Sequence, residues 1–320
     1  MKKFTSVKDV ADVNALVTEA LVLKRNPLGY KETGRNKTLG LIFLNPSLRT
    51  RLSTQKAAVN LGMDVMVMNI DKEGWALETL DGVIMNGTSV EHIREAAGVM
   101  GQYFDIMGLR SFPNLKNRDE DYREDILNKF IHYSDLPVIS LESGTLHPLQ
   151  SLADLITIEE LKTAKKPKVV LTWAPHVKPL PQAVPNSFAE WMSVADVELV
   201  IAHPKGYDLD PAYTSGATIT NNQDEALQDA DFIYVKNWSS YQPYGQILTQ
   251  DPGWMLTEER LKNTNSGKVM HCLPVRRDLE LGADILDGPN SLVLQQAANR
   301  VWAAQVVLKK MLETNFPIPS

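Results

Sequence analysis

The sequence predicts an α/β protein of two parallel-sheet α/β domains, with bridging helices between them and a C-terminal helix packing back on the first domain. Three observations carry this. Short, nearly continuous apolar runs alternate with stretches of helical spacing, as strands covered on both faces require. The strand-helix series occurs twice along the chain. Finally, 320 residues exceed the roughly 100 to 200 of one domain.

In chain order, residues 9–24 carry helical periodicity through Val10, Val13, Leu16, Val17 and Leu21. Residues 38–44 read as a buried strand, because the run is short, contains Gly40 and stops at Asn45-Pro46. Helical spacing resumes through Leu52, Ala57, Ala58 and Leu61 until Gly62. Residues 64–70 read as a strand, 89–102 as a helix and 104–109 as a strand. Residues 148–162 form one amphipathic helix that bridges the domains. Strands follow at 169–173, 197–202, 232–236 and 269–273. Val293, Ala297, Val301, Ala304, Val307, Leu308 and Met311 give a helix over 292–314 a broad apolar face. The expected domains are 1–147 plus about 296–320, and 148–295.

The charge balance is 33 Lys and Arg against 39 Asp and Glu, net −6, which argues against a duplex nucleic-acid binder. The locally basic stretch 162–168 reads as a solvated helix end. One cysteine, Cys272, excludes an intrachain disulfide framework and fits a reducing compartment. No window reaches the ~18 continuous apolar residues of a membrane span, and no signal-peptide pattern follows the first residues. A soluble, cytoplasmic protein is expected. The six histidines do not form a short-spacing ligand set, so no metal is expected.

Leu44-Asn45-Pro46-Ser47-Leu48-Arg49-Thr50-Arg51 sits where an apolar strand gives way to a helix. A helix N-terminus exposes N–H groups and partial positive charge; Ser47 and Thr50 add hydroxyls, and Arg49 can grip two phosphate oxygens. The same octapeptide fits a Ser47 N-cap followed by surface arginines. Arg110 ends an apolar run, where a charged residue suits a crevice site or a plain exit to solvent. His147 before Pro148 can polarise a carbonyl oxygen or cap a helix. Gln150 can donate to oxygen and accept from an amide, or lie on a helix surface. Cys272 reads as a thiolate nucleophile or as buried packing.

Ser47-Leu48-Arg49-Thr50 resembles the Ser-x-Arg-Thr motif of aspartate and ornithine carbamoyltransferases, His147-Pro148-Leu149-Gln150 their His-Pro-x-Gln segment, and His271-Cys272-Leu273-Pro274 the His-Cys-Leu-Pro of the ornithine branch. Within this family the chain is most similar to the N-acylornithine carbamoyltransferases, with the succinyl branch first and the acetyl branch next. The resemblance covers nearly the whole chain. It implies a transferase that moves the carbamoyl group of carbamoyl phosphate to an N-acylornithine in arginine biosynthesis, with no cofactor and as a homotrimer. The first domain then binds carbamoyl phosphate and the second the acylornithine.

The resemblance also implies residue roles. Ser47, Leu48, Arg49 and Thr50 line the phosphate pocket; Arg110, His147 and Gln150 place the carbamoyl group; Cys272 and Leu273 line its other side; and Arg300 is a further contact. The catalytic set is Arg49, Thr50, Arg110, His147, Gln150 and Cys272, with no covalent intermediate on the cysteine. Trp75 reaches a neighbouring subunit's carbamoyl-phosphate site, although the same residue fits a local hydrophobic anchor. Glu142, His176, Lys236, Arg276 and Val90 fall on the acylornithine side.

The acceptor side departs from the plain ornithine enzymes, whose Asp-x-x-x-Ser-Met-Gly loop handles a free α-amine. Here Asp231 to Trp238 has no Ser-Met-Gly after it. Where the acetyl-selective branch has an acidic residue and the succinyl pattern a proline, this chain has Val90, which matches neither. Lack of a carboxylate favours the anionic succinyl group, with Lys178, Arg276 and Arg277 as nearby positive charge; N-acetylornithine is the alternative acceptor. Two other classes compete: a noncatalytic phosphate-metabolite sensor, and a nicotinamide-dependent oxidoreductase, which lacks the Gly-x-Gly-x-x-Gly it would need.

Overall fold

The computed structural model describes residues 1–317, so the last three positions of the expected 296–320 segment lie outside the described residues. The chain divides into two compact units. One comprises Met1–Pro113, Asp119–Leu149 and the segment from Arg300 onward; the other comprises Asn114–Arg118 and Gln150–Asn299.

The first unit contains strands β1 (Lys3–Phe4), β2 (Thr38–Phe43), β3 (Asp64–Asn69), β4 (Leu77–Glu78), β5 (Glu91–His92), β6 (Ile106–Arg110) and β7 (Val138–Glu142). Five of them form a parallel sheet in the order β1-β7-β6-β2-β3. The chain steps outward from β2 to β3 and, on the other side, from β6 to β7, so β2 and β6 flank the point where the winding reverses. Leu39, Leu41, Ile42 and Phe43 of β2 are all buried, as the apolar run predicts. Gly40 lies inside the strand because a Cβ there would stand 2.2 Å from the Phe104 ring. Gly101 serves a similar close approach: a Cβ would lie 2.3 Å from the Ser134 carbonyl oxygen, where helices Ile93–Tyr103 and Asp125–Ser134 meet.

Two helix starts differ from expectation for local reasons. The first long helix is Val13–Arg25, with Asp12 accepting from the Ala15 N–H at 2.9 Å; Val7–Asp9 form a separate 3-10 turn inside a Ser6/Asp9 capping box. The helix expected from residue 89 begins at Ile93, because Glu91 and His92 pair in parallel with Leu77 and Glu78. The helix Val293–Asn315 packs back on this unit from Arg300 onward. Gln305 accepts from Asn60 at 2.9 Å and donates to the Pro27 carbonyl at 2.8 Å, and Lys309 pairs with Glu19 at 2.7 Å.

The second unit holds β8 (Lys168–Trp173), β9 (Glu198–Ala202), β10 (Thr218–Thr220), β11 (Phe232–Lys236) and β12 (Lys268–Met270), all parallel in the order β10-β9-β8-β11-β12. Winding reverses here between β8 and β11. Val170, Val200, Ile233, Val269, Leu281 and Ile285 form part of its core. The strand expected over 269–273 ends at Met270, because Leu273 takes a left-handed conformation (φ 58°). The helices Pro148–Leu161 and Val293–Asn315 each carry residues of both units, and so join them. Among the described residues no helix is long and apolar enough to cross a membrane.

Candidate active site

In open α/β sheets, ligand sites form beyond the carboxyl ends of strands where the winding reverses. In the first unit, β2 leads into the Asn45–Thr50 segment, β6 ends at Arg110, and β7 ends at Glu142. The helix Arg49–Asn60 starts from Leu48, which makes no side-chain cap hydrogen bond. Ser47 is therefore not its N-cap, and the first turn of the helix opens onto the loop. Thr50 Oγ1 accepts from Arg300 Nη2 at 2.6 Å, with both residues buried; its own hydroxyl proton remains available to a phosphate oxygen.

Arg110 is tied on every side. Its Nε and Nη2 donate to Glu142 Oε2 at 3.2 and 2.7 Å, and Nη1 donates to the carbonyls of Asn45 and Pro46 at 3.2 and 2.6 Å. It thus ties the ends of β6 and β7 to the Asn45–Pro46 loop. Glu142, expected on the acylornithine side, is placed by this ion pair beside Arg110, with its Oε2 3.8 Å from His147 Nε2. Burial, then the charges of Arg300, Arg110 and Arg49, hold the His147 imidazole well below its ordinary value. The carboxylate at 3.8 Å would favour protonation, but it is already engaged by Arg110. His147 is consequently a neutral ring.

The sign of the resulting pH effect follows. The unfolded chain binds a proton at His147 near pH ~6.5 and the folded chain does not, so stability falls as pH drops below that value, by up to about 1.4 kcal/mol per pH unit from this residue. Denaturant midpoints measured from pH 7.5 to 5.5 should decline less steeply in His147→Gln than in the parent; identical slopes would remove the argument.

Sequence reasoning missed the clamp on the loop that carries Glu142 and His147. Glu124 Oε1 accepts from Ser143 Oγ (2.6 Å), Thr145 N (2.8 Å) and Thr145 Oγ1 (2.6 Å), and its Oε2 accepts from Gly144 N (3.2 Å). Trp75 is more than half exposed, so it is not a local anchor; its Nε1 donates to Glu91 Oε2 at 2.9 Å. Val90 is also exposed and donates its N–H to the Ala76 carbonyl at 3.0 Å, which sets the two residues on one small ladder.

In the second unit, His176 follows β8, Lys236 ends β11, and Cys272 and Leu273 follow β12. Arg276 Nε donates to His176 Nε2 at 3.2 Å, and His176 Nδ1 lies 2.9 Å from the Lys178 carbonyl. The Arg276 contact needs a lone pair on Nε2, which fits a neutral imidazole, and burial lowers the pKa in the same direction. Lys236 is buried to 7% exposure. The chain after it is pinned: Asn237 Nδ2 donates to Ala174 O at 2.7 Å, and fully buried Trp238 donates from its indole to Tyr207 O at 2.8 Å. A packed aromatic thus occupies the stretch where the Ser-Met-Gly loop is missing. Arg277 pairs with Asp287 at 2.6 Å, apart from this cluster.

Gln150 is buried rather than on a helix surface, and its Nε2 donates to Asp154 Oδ1 at 2.7 Å. Asp154 Oδ1 also accepts from Gln296 Nε2 at 2.7 Å, and Gln296 Oε1 accepts from the His271 N–H at 2.9 Å. Burial, then Asp154 and Cys272, raise the Tyr234 phenol well above its ordinary value, so this hydroxyl is a neutral neighbour of the thiol. Asp154, four residues beyond Gln150 in one helix, was within reach of the helical-spacing argument; Tyr234 was not.

One unit thus gathers cationic and hydroxyl groups at an anion-binding helix start, and the other gathers Lys236, His176 and Arg276 around a thiol-bearing turn. This is the equipment of a two-substrate transferase. Residues 2–160 match the carbamoyl-phosphate-binding domain of the aspartate/ornithine carbamoyltransferases, and residues 181–311 match their Asp/Orn-binding domain. The chain belongs to the aspartate/ornithine carbamoyltransferase family.

It is 54% identical over 319 residues to N-succinylornithine carbamoyltransferase of Bacteroides fragilis, covering 99% of this chain and 100% of that protein. It is 33% identical over 342 residues to N-acetylornithine carbamoyltransferase of Xanthomonas campestris, covering 99% of each. A solved N-acetyl-L-ornithine transcarbamylase, with a glutamate replaced by valine and in complex with carbamyl phosphate and N-succinyl-L-norvaline, is similar at a TM-score of 0.91 and 31% identity, covering 97% of this chain and 100% of that one.

Proposed function

We propose that this protein transfers the carbamoyl group of carbamoyl phosphate to the δ-amine of N-succinyl-L-ornithine, giving N-succinyl-L-citrulline and phosphate. Transfer to an N-acylornithine in arginine biosynthesis is the broader activity, and the succinyl preference is the finer step. The observation that carries the preference is 54% identity to a succinylornithine enzyme against 33% to an acetylornithine enzyme. Val90 supports it, since an uncharged, exposed side chain there does not repel a succinyl carboxylate. So does the neighbour solved with succinylnorvaline after a glutamate became valine.

In this reading Ser47, Leu48, Arg49, Thr50 and Arg300 hold the phosphate. Arg110, His147 and Gln150 orient the carbamoyl group, with Cys272 and Leu273 along its other side. The uncharged amine nitrogen attacks the carbonyl carbon; the carbon–oxygen bond to phosphate breaks, and phosphate leaves with the electron pair and takes the amine proton. Negative charge that grows on the carbonyl oxygen and the departing phosphate is stabilised by the guanidiniums, the Thr50 hydroxyl and neutral His147. Lys236 neutralises the α-carboxylate, while His176 and Arg276 address the acyl end. Glu142 acts through Arg110.

A homotrimer belongs to the same proposal. Leu48, Leu52 and Val59, spaced along one helical face, and Met66 on edge strand β3 are all more than half exposed, an apolar surface that a second copy would cover. Exposed Trp75 would then serve a neighbouring subunit's carbamoyl-phosphate site. A cytoplasmic location fits the single thiol.

The test is steady-state turnover with carbamoyl phosphate and, separately, ornithine, N-acetylornithine and N-succinylornithine. The highest kcat/KM is expected with the succinylated acceptor. Best turnover with free ornithine would reject an acylated substrate; binding without phosphate release with any acceptor would favour a sensor.

A further inference from the structure

Leu273 has φ of 58°, a left-handed conformation that is strained for a residue with a Cβ and persists only where surroundings impose it. Its N–H donates to His271 Nδ1 at 2.9 Å. A ring that accepts at Nδ1 carries its proton on Nε2 when neutral. That Nε2 stands 3.6 Å from Glu280 Oε1, with side chains 0% and 1% exposed. The separation is slightly longer than a direct hydrogen bond, as site contacts often are before substrate binds. The other oxygen, Oε2, accepts from the Arg276 N–H at 2.7 Å.

One buried carboxylate therefore faces both the ring that fixes the Cys272–Leu273 turn and the backbone of the residue whose guanidinium meets His176. We propose that Glu280 is a positioning residue for the second unit's half of the site, holding Leu273 through His271 and Arg276 through its amide. This rests on the reading given above, with Leu273 along the carbamoyl group and Arg276 at the acyl end. Burial works against the Glu280 charge, but the contact with His271, the charge of Lys236 and the Arg276 amide outweigh it, and the carboxyl sits below its ordinary value. A carboxylate suits the place because two donors point at it and an amide would offer only one acceptor.

Glu280→Gln and Glu280→Ala test this on the full chain. In Glu280→Gln at least one of the two donors meets an NH2 group. The kcat/KM for succinylornithine should fall roughly 10- to 100-fold, the scale of a small misplacement of reacting groups, with Glu280→Ala at least as impaired. Carbamoyl-phosphate affinity should fall less, because the groups proposed to hold its phosphate belong to the other unit. The nitrogen-15 signals of the His271 ring should shift away from the Nε2-protonated pattern. Parent-like kinetics with unchanged ring signals would overturn the proposal. So would loss of carbamoyl-phosphate affinity in proportion to turnover, which marks general unfolding. If Glu280→Ala does not fold, Glu280→Gln decides. If the parent turns over none of the acylornithines, the functional reading falls by itself, and the His271 signals still decide the role of Glu280.

Discussion

Arg49→Ala is expected to lower kcat/KM by about 100-fold or more, through carbamoyl-phosphate binding and turnover together. In the proposed site this residue, which opens the helix Arg49–Asn60, adds a charged guanidinium fork at a helix N-terminus. Loss of one charge-assisted contact in a desolvated site removes about 3 kcal/mol. Because the phosphate gains charge as it leaves, part of the loss should appear in kcat and not only in KM. Arg49→Lys keeps the charge without the fork and should recover a fraction of the activity. Calorimetric titration with carbamoyl phosphate alongside steady-state kinetics checks this; unimpaired binding in the alanine variant would remove Arg49 from the anion site. The same variant takes one of three guanidiniums from around His147, leaving burial and two charges to keep that ring neutral.

Lys236→Ala should separate the substrates. Lys236 ends β11 at 7% exposure, in the second unit, whereas the groups proposed to hold the phosphate belong to the first. Removing a buried cation that meets a carboxylate should raise KM for succinylornithine roughly 100-fold, about 3 kcal/mol, while carbamoyl-phosphate binding stays near the parent level. Equal loss of both ligands in a folded variant would count against this division of labour.

What the sequence disclosed, and what it hid, follows from range. Long apolar runs such as β2, β8 and β11 announce themselves because burial on both faces leaves no room for polar residues. Ser47–Thr50 was legible partly because it follows β2 directly, whereas the His147 and His271 motifs stood out by their residue pattern. The two-residue strands β1, β4 and β5 were not: two residues contain no period, and their pairing comes from tertiary contact. Nor was β7, although it carries Glu142. The clamp residues form the deeper gap. Glu124 meets Thr145 and Ser143 from the turn before the helix Asp125–Ser134, and Glu280 meets His271 across a loop. Each is an unremarkable acidic residue until the fold brings donors to it. Ser47 shows the opposite case, since a familiar capping residue stands one position outside the cap that the chain uses.

The helix Val293–Asn315 has a consequence for biosynthesis. Arg300, which grips Thr50, and Gln305 and Lys309, which secure Asn60 and Glu19, are translated only after the whole Gln150–Asn299 segment. At ordinary ribosomal speed that interval is on the order of ten seconds. During it the first unit waits with Asn60 and Thr50 unmatched, so the nascent chain exposes an incomplete core to chaperones and proteases. A product interrupted before Arg300 therefore lacks the partner that Thr50 meets in the finished fold.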